Sequence, residues 1–157
     1  MFDSLELPDN HTIYAQGKQM KRPEPLDQEV LFDGRSLISE TDTKGKIIYV
    51  NRKFVEMSGY SKEEAIGQPH NILRHPDMPR AAFDQMWKTI QSGKIWEGYV
   101  KNLRKDGKFY WVIVNIVPKL DDNGEIVGYI ASRKVPKRNE ISTTEQNYAQ
   151  MLLSEQE

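Results

Sequence analysis

The sequence predicts an α+β fold: a five-stranded antiparallel sheet with short helices and one longer helix grouped on one face. Three observations predict it. Two strand-like runs between residues 36 and 50 are joined by a turn-forming tetrapeptide. Short, individually capped helical segments follow, then a longer segment of helical period. Three further strand-like runs form a meander whose turns carry Asp-Gly and Asn-Gly.

Residues 1–35 are polar, with prolines at Pro23 and Pro25, and read as an N-terminal extension or cap with a short helix around 28–32. The core begins near Ser36. Ser36–Asp42 alternates weakly and runs into Thr43-Lys44-Gly45-Lys46, which has turn chemistry. Ile47–Val50 completes a hairpin. Asn51 stands where it can cap a helix over Arg52–Met57, which Ser58-Gly59 ends. Ser61-Lys62-Glu63-Glu64 is a capping-box pattern opening a second short helix, closed by Gly67. Pro79 suits the first position of the longer helix, Pro79–Ser92. There Phe83, Met86, Trp87 and Ile90 recur at three and four residues and give one apolar face. The meander is Trp96–Lys105, Phe109–Leu120 and Glu125–Lys134.

The middle strand of the meander is apolar on both faces, with Trp111, Ile113 and Val117 on one and Tyr110, Val112, Val114 and Ile116 on the other. Both faces should therefore be covered. The helices cover one; the N-terminal extension, a second copy or a partner covers the other. Residues 136–157 read as a helical tail. Its apolar residues, Ile141, Tyr148, Met151 and Leu152, suit packing against a partner or output.

Composition excludes several functions. The 157 residues carry a net charge of −1, so nothing draws the chain to nucleic acid or an anionic membrane. No apolar run reaches the roughly 20 residues needed to span a bilayer, and Met1–Thr12 lacks a basic start and an apolar stretch. The absence of Cys removes disulfides, thiolate zinc sites, iron–sulfur clusters and cysteine nucleophiles. His11, His70 and His75 do not form a spaced zinc motif, and no nucleophile is set beside a base, so a binding module is expected and not an enzyme.

The run Gly67-Gln68-Pro69-His70-Asn71-Ile72-Leu73-Arg74-His75-Pro76-Asp77-Met78-Pro79 closely resembles the signature of the PAS domains of the Aer/CetB energy-taxis family. Ser58-Gly59-Tyr60, Ala81-Ala82-Phe83, Val100-Lys101-Asn102 and Tyr110-Trp111-Val112 extend the resemblance. It implies a PAS fold, with the sensor domain over 36–135, and a redox sensor of the aerotaxis type holding FAD, with FMN as the alternative flavin. Aer-type proteins continue into membrane helices and a signalling rod where this chain stops. The resemblance thus implies a stand-alone sensor half, cytoplasmic and held at the inner membrane through a chemoreceptor or methyl-accepting signalling protein; the second apolar face of the sheet predicts self-association into a homodimer.

By the same resemblance, Arg74, His75 and Asp77 correspond to residues required for flavin binding, with Arg74 suited to a phosphate; His75 can equally cap the helix that starts at Pro79, and Asp77, two residues before that proline, reads as well as an N-cap neighbour. Asn102 faces inward with Val100 by strand alternation, and its amide can donate to and accept from a flavin's ring edge. Val100, Val112, Val114 and Ile116 should line the sheet side of the pocket. Trp96 is a candidate for stacking on the cofactor. Phe83 and Trp87 are candidates too, although helical spacing equally makes them core. Asn51 can cap or touch the cofactor. Arg133 faces inward on the last strand, where a cation needs an anionic partner such as a phosphate or a reduced flavin. Without cysteine, adduct photochemistry is closed, so signalling must use electron gain and loss. Two other readings of the same fold stay open: a haem-based gas sensor with His70 or His75 on iron, and a cofactor-free interaction module.

Overall fold

The computed structural model describes residues 12–15 and 18–156, with side chains from residue 22 onward. Two strands, β1 (Thr12–Ala15) and β2 (Lys18–Lys21), pair antiparallel with each other, apart from the main sheet. The main sheet opens with β3 (Leu37–Thr41) and β4 (Ile47–Val50), an antiparallel hairpin. Its turn is held by Asp42, whose Oδ1 accepts from the amides of Lys44 and Lys46 at 2.9 Å each.

The helical layer follows local capping chemistry. Asn51 Oδ1 accepts from Phe54 N–H, and α1 (Arg52–Ser58) ends at Gly59 with φ 80°. Both halves of the capping box at Ser61 and Glu64 form at α2 (Lys62–Ala65). A single 3-10 turn covers His70–Leu73, and α3 (Arg80–Gln91) follows. Pro79 stands one position before the first helical residue, as the N-cap, and offers no side-chain cap. Three strands then complete the sheet: β5 (Trp96–Leu103), β6 (Phe109–Leu120) and β7 (Ile126–Lys134). The strand order is β4-β3-β7-β6-β5, antiparallel throughout. The core lies between the inner sheet face and α3, where Leu37, Met86, Trp87, Ile90, Val112 and Val114 pack together.

Two expectations are corrected. Residues 28–32 form no helix; they run extended beside β6, with Val30 N–H donating to Phe109 O (2.7 Å) and Phe109 N–H to Gln28 O (3.0 Å). A one-turn helix satisfies few backbone groups for the residues it fixes, and the open edge at Phe109 offers better partners. The tail is helical, as expected, but it covers a sheet face that was expected to be covered by the N-terminal extension, a second copy or a partner. It forms α4 (Arg138–Glu155), at 18 residues longer than the 12-residue α3.

α4 packs on the chain's own sheet and covers part of the outer face. Ile141 is buried against Phe109 and Trp111, and the Tyr148 ring stacks on Trp111 at 6.5 Å between centroids. The Tyr148 hydroxyl donates to Tyr99 O at 2.7 Å, and the Tyr99 hydroxyl donates to Glu140. Arg138 grips Glu29 through both guanidinium nitrogens. At the far end, Glu155 accepts from the amides of Arg80 (3.0 Å) and Ala81 (2.9 Å), supplying the cap that Pro79 cannot. Among the described residues, no helix is long and apolar enough to cross a membrane.

Candidate functional site

Strand alternation turns Val100, Val114, Ile116 and Ala131 toward the helical layer, and α3 turns Phe83 and Met86 toward the sheet. Between them lies a hollow of about 640 Å³ not filled by protein atoms, part of it open to solvent. Its remaining wall comes from Thr41, His70, Asn71, Arg74, Asn102, Tyr129 and Arg133. Two arginines line the hollow, and among the described residues no carboxylate does.

Arg133 is the unusual group. It is 3 % exposed, sitting in β7 between Leu37 of β3 and Val114 of β6. Its hydrogen-bond partners are neutral: Ser39 Oγ at 2.9 Å, His70 Nε2 at 2.6 Å and, more loosely, Leu37 O at 3.4 Å. Burial lowers its pKa to about 10, with Tyr110 the one neighbour that pushes the other way. A buried cation without an anionic partner is costly. His70 feels the same field: burial first, then Arg133, push its imidazole down to about 3. It is therefore neutral, with Nε2 accepting from Arg133, which assigns the ring proton to Nδ1.

Asn102 is buried in β5 opposite Tyr110, and its Nδ2 has no hydrogen-bond partner; neither does the buried Oγ1 of Thr41. Burial takes the Tyr110 phenol up to about 12. Asn102 lies near enough to temper that rise, yet no well-formed hydrogen bond joins Nδ2 to the Tyr110 hydroxyl. Unpaired buried donors cost free energy and mark where a guest's acceptor would be favoured. Arg74 forms an isolated backbone bridge with Asn102, donates Nη2–H to Met78 O (3.2 Å) and lies over the Phe83 ring at 5.0 Å. The buried Arg22 donates to the Arg74 carbonyl at 2.8 Å.

Of the residues singled out from the sequence, Arg74, Asn102, Phe83 and Arg133 line the hollow, as do Val100, Val114 and Ile116. The others do not. Val112 is buried in the core behind the wall. Asn51 spends its side chain on the backbone: Oδ1 accepts from Phe54 and Ile38, and Nδ2 donates to Ser36 O. Trp87 meets Tyr129 edge-on at 5.6 Å, and the Trp96 ring lies over Gly98, where a Cβ would come within 2.4 Å of it.

His75 and Asp77 lie away from the hollow. His75 Nδ1 accepts from the Asp77 amide at 3.0 Å, and burial, reinforced by Lys101, pushes its pKa down to about 4. Asp77 holds the Lys101 ammonium at 2.8 Å. Burial raises the Asp77 carboxyl, but the lysine outweighs it and leaves it below the usual carboxylate range. Thr41, Asn71, Met86, Tyr129 and Ala131 were missed as wall residues, and His70 was considered only as a haem ligand. Counting back by twos from Arg133 gives Ala131 and Tyr129, and strand pairing then gives Thr41 opposite Tyr129.

The family model described as the PAS fold matches residues 34–132. The aerotaxis receptor of Escherichia coli (strain K12) is 47% identical over 118 residues, 75% of this chain and 23% of the receptor. The nitrogen fixation regulatory protein of Klebsiella oxytoca is 35% identical over 97 residues, 62% of this chain and 20% of that protein. The chain thus spans less than a quarter of the length of either relative. Among solved structures, the light state of the blue-light photoreceptor Aureochrome1 LOV superposes with a TM-score of 0.62 at 25% identity, over 76% of this chain and 90% of that one.

Proposed function

The chain belongs to the PAS family, and from that premise we propose that it is the sensing module of an energy-taxis pathway, holding a flavin and reporting its redox state to a chemotaxis receptor. The observation that carries this reading is Arg133, a buried cation on the wall of an acid-free hollow with only neutral partners. A guest that is flat, apolar and anionic would repay its burial. A flavin has that character: an apolar ring system, a pyrimidine edge that both donates and accepts, and phosphate at the end of its chain. When bound it supplies reversible electron uptake.

The residues have distinct roles in this reading. Val100, Val114, Ile116 and Met86 exclude water from the ring's faces. Asn102 and Thr41 offer their unpaired polar atoms to the ring edge. Arg74 takes the phosphate end. Arg133 balances negative charge and adds to the burial that keeps His70 neutral, so that a change of charge in the hollow is felt along β7 toward α4. FAD is the flavin we propose, on the resemblance of the 67–79 run to Aer-type sensors, and the similarity to the aerotaxis receptor supports it. The haem reading is disfavoured, because His70 Nε2 already accepts from Arg133 and His75 does not line the hollow.

In this reading the domain works on the cytoplasmic side and passes its signal to a chemoreceptor or methyl-accepting signalling protein at the inner membrane. Tyr49 and Val117, which remain exposed on the outer sheet face, support self-association into a homodimer. The test is direct. Protein purified from flavin-replete cells should show a two-band flavin spectrum without a Soret band and release FAD on denaturation. A colourless protein that also takes up no FAD or FMN when either is added would refute the reading.

A further inference from the structure

We infer that Lys101 and Asp77 form a clamp that positions Arg74 and Asn102 from the far side of β5; the inference rests on the reading of the hollow as a flavin site. Alternation places Val100 and Asn102 on the hollow side of β5 and Lys101, between them, on the other. The Lys101 side chain is only 9 % exposed. Its ammonium has one close anionic partner, Asp77 Oδ2 at 2.8 Å, and otherwise lies over the Phe109 ring at 4.3 Å.

The segment from Arg74 to Met78 is thereby fastened to β5 at successive points. Arg74 forms its backbone bridge with Asn102, Lys101 N–H donates to Met78 Sδ at 3.3 Å, and Asp77 holds the Lys101 ammonium. His75 braces the turn from within: its Nδ1 accepts from the Asp77 amide and its carbonyl accepts from the Met78 amide, both at 3.0 Å. Arg74 and Asn102 both line the hollow, so their separation is set by how tightly this segment lies on the strand. Exposed ion pairs contribute little, but a lysine this deeply buried cannot lose its partner without moving toward water. That movement would carry β5 with it. Asp77, Lys101 and His75 are positioning residues, and they touch no guest.

The test compares Asp77→Asn, Lys101→Met, the double variant and Asp77→Glu in the full chain, with FAD, FMN and riboflavin each added to flavin-free protein. Each single loss should weaken binding by on the order of tenfold, with the double no weaker than either single, as expected for one shared interaction. Asp77→Glu, which keeps the charge, should stay within a few-fold of the parent. The visible flavin circular dichroism should change in the two single variants, since the ring edge is held differently. Additive losses, or binding and dichroism unchanged in Asp77→Asn, would overturn the clamp. If the parent binds none of the three flavins, the flavin reading fails by itself. The clamp is then read from hydrogen exchange: Asp77→Asn should speed exchange in residues 74–78 and 99–103 while sparing Ile47–Val50. Unchanged exchange in those two segments would overturn it.

Discussion

Replacing Arg133 by Gln should move the flavin-free and flavin-loaded proteins in opposite directions. Burial takes the Arg133 guanidinium from 12.5 to about 10. At about 1.4 kcal/mol for each tenfold, keeping it charged in the fold costs on the order of 3 kcal/mol. Gln removes that cost while retaining an amide donor for Ser39 Oγ or His70 Nε2. It gives up one of those two hydrogen bonds and the loose contact with Leu37 O, at roughly 1 kcal/mol for the better bond. The flavin-free variant should therefore be more stable than the parent, by about 1–2 kcal/mol. With flavin the sign reverses. The variant loses the most deeply buried cation on the wall, and the flavin Kd should rise about tenfold or more, near 1.4 kcal/mol. Urea unfolding of flavin-free protein gives the first quantity, and quenching of flavin fluorescence on titration gives the second. A flavin-free variant less stable than the parent, combined with unchanged flavin affinity, would make Arg133 a structural residue and remove the main support for an anionic guest.

Acid should destabilise the fold through His70. Its folded pKa is near 3 against an ordinary 6.5, so the unfolded chain takes up the proton first. Stability is complete above pH 6.5 and falls as the pH drops toward 3, by roughly 2–3 kcal/mol at pH 4.5. His75, depressed to about 4, acts with the same sign. Urea midpoints at pH 7 and pH 4.5 check this, and His70→Gln should flatten the difference; an unchanged difference would refute it. Glu155→Ala removes the carboxylate that caps the first amides of α3 and should cost about 1 kcal/mol, with faster hydrogen exchange at Arg80 and Ala81. Gly98→Ala places a methyl 2.4 Å from the Trp96 ring and should destabilise by about 1–3 kcal/mol, with a shift in tryptophan emission. An emission spectrum and stability equal to the parent's would contradict that packing.

The fold was legible because its signals are short-range. Asn51, the Ser61–Glu64 box, the Asp106-Gly107 turn and the apolar period of α3 each act within a few residues, and each produced the expected element. The inner wall was partly legible for the same reason: alternation alone places Val100, Asn102, Val114, Ile116 and Arg133. What escaped depends on long-range pairing. No local rule says that Glu155 meets Arg80, or that residues 28–30 lie against Phe109. His75 and Asp77 sit in the most distinctive run of the sequence, beside Arg74, and the resemblance carried by that run implied a shared pocket. The turn through Pro76 instead carries Asp77 to the outer side of β5, where Lys101 waits. Trp96 was a stacking candidate, but its ring lies over Gly98, where the missing side chain leaves room for it.

The carboxylate that Glu155 lends to α3 bears on how such sensors can be recombined. α3 carries Phe83 and Met86, so the wall of the hollow is finished by a residue 74 positions after Ala81, in the segment that a designer would regard as output. Grafting the sensor onto another effector with the joint placed ahead of Glu155 would leave the first amides of α3 facing water, and the chimera's input could drift even though every wall residue was kept. Modularity in this chain therefore has a boundary later than its last strand. Transplants that retain α4 through Glu155 should keep their tuning, and shorter ones should not.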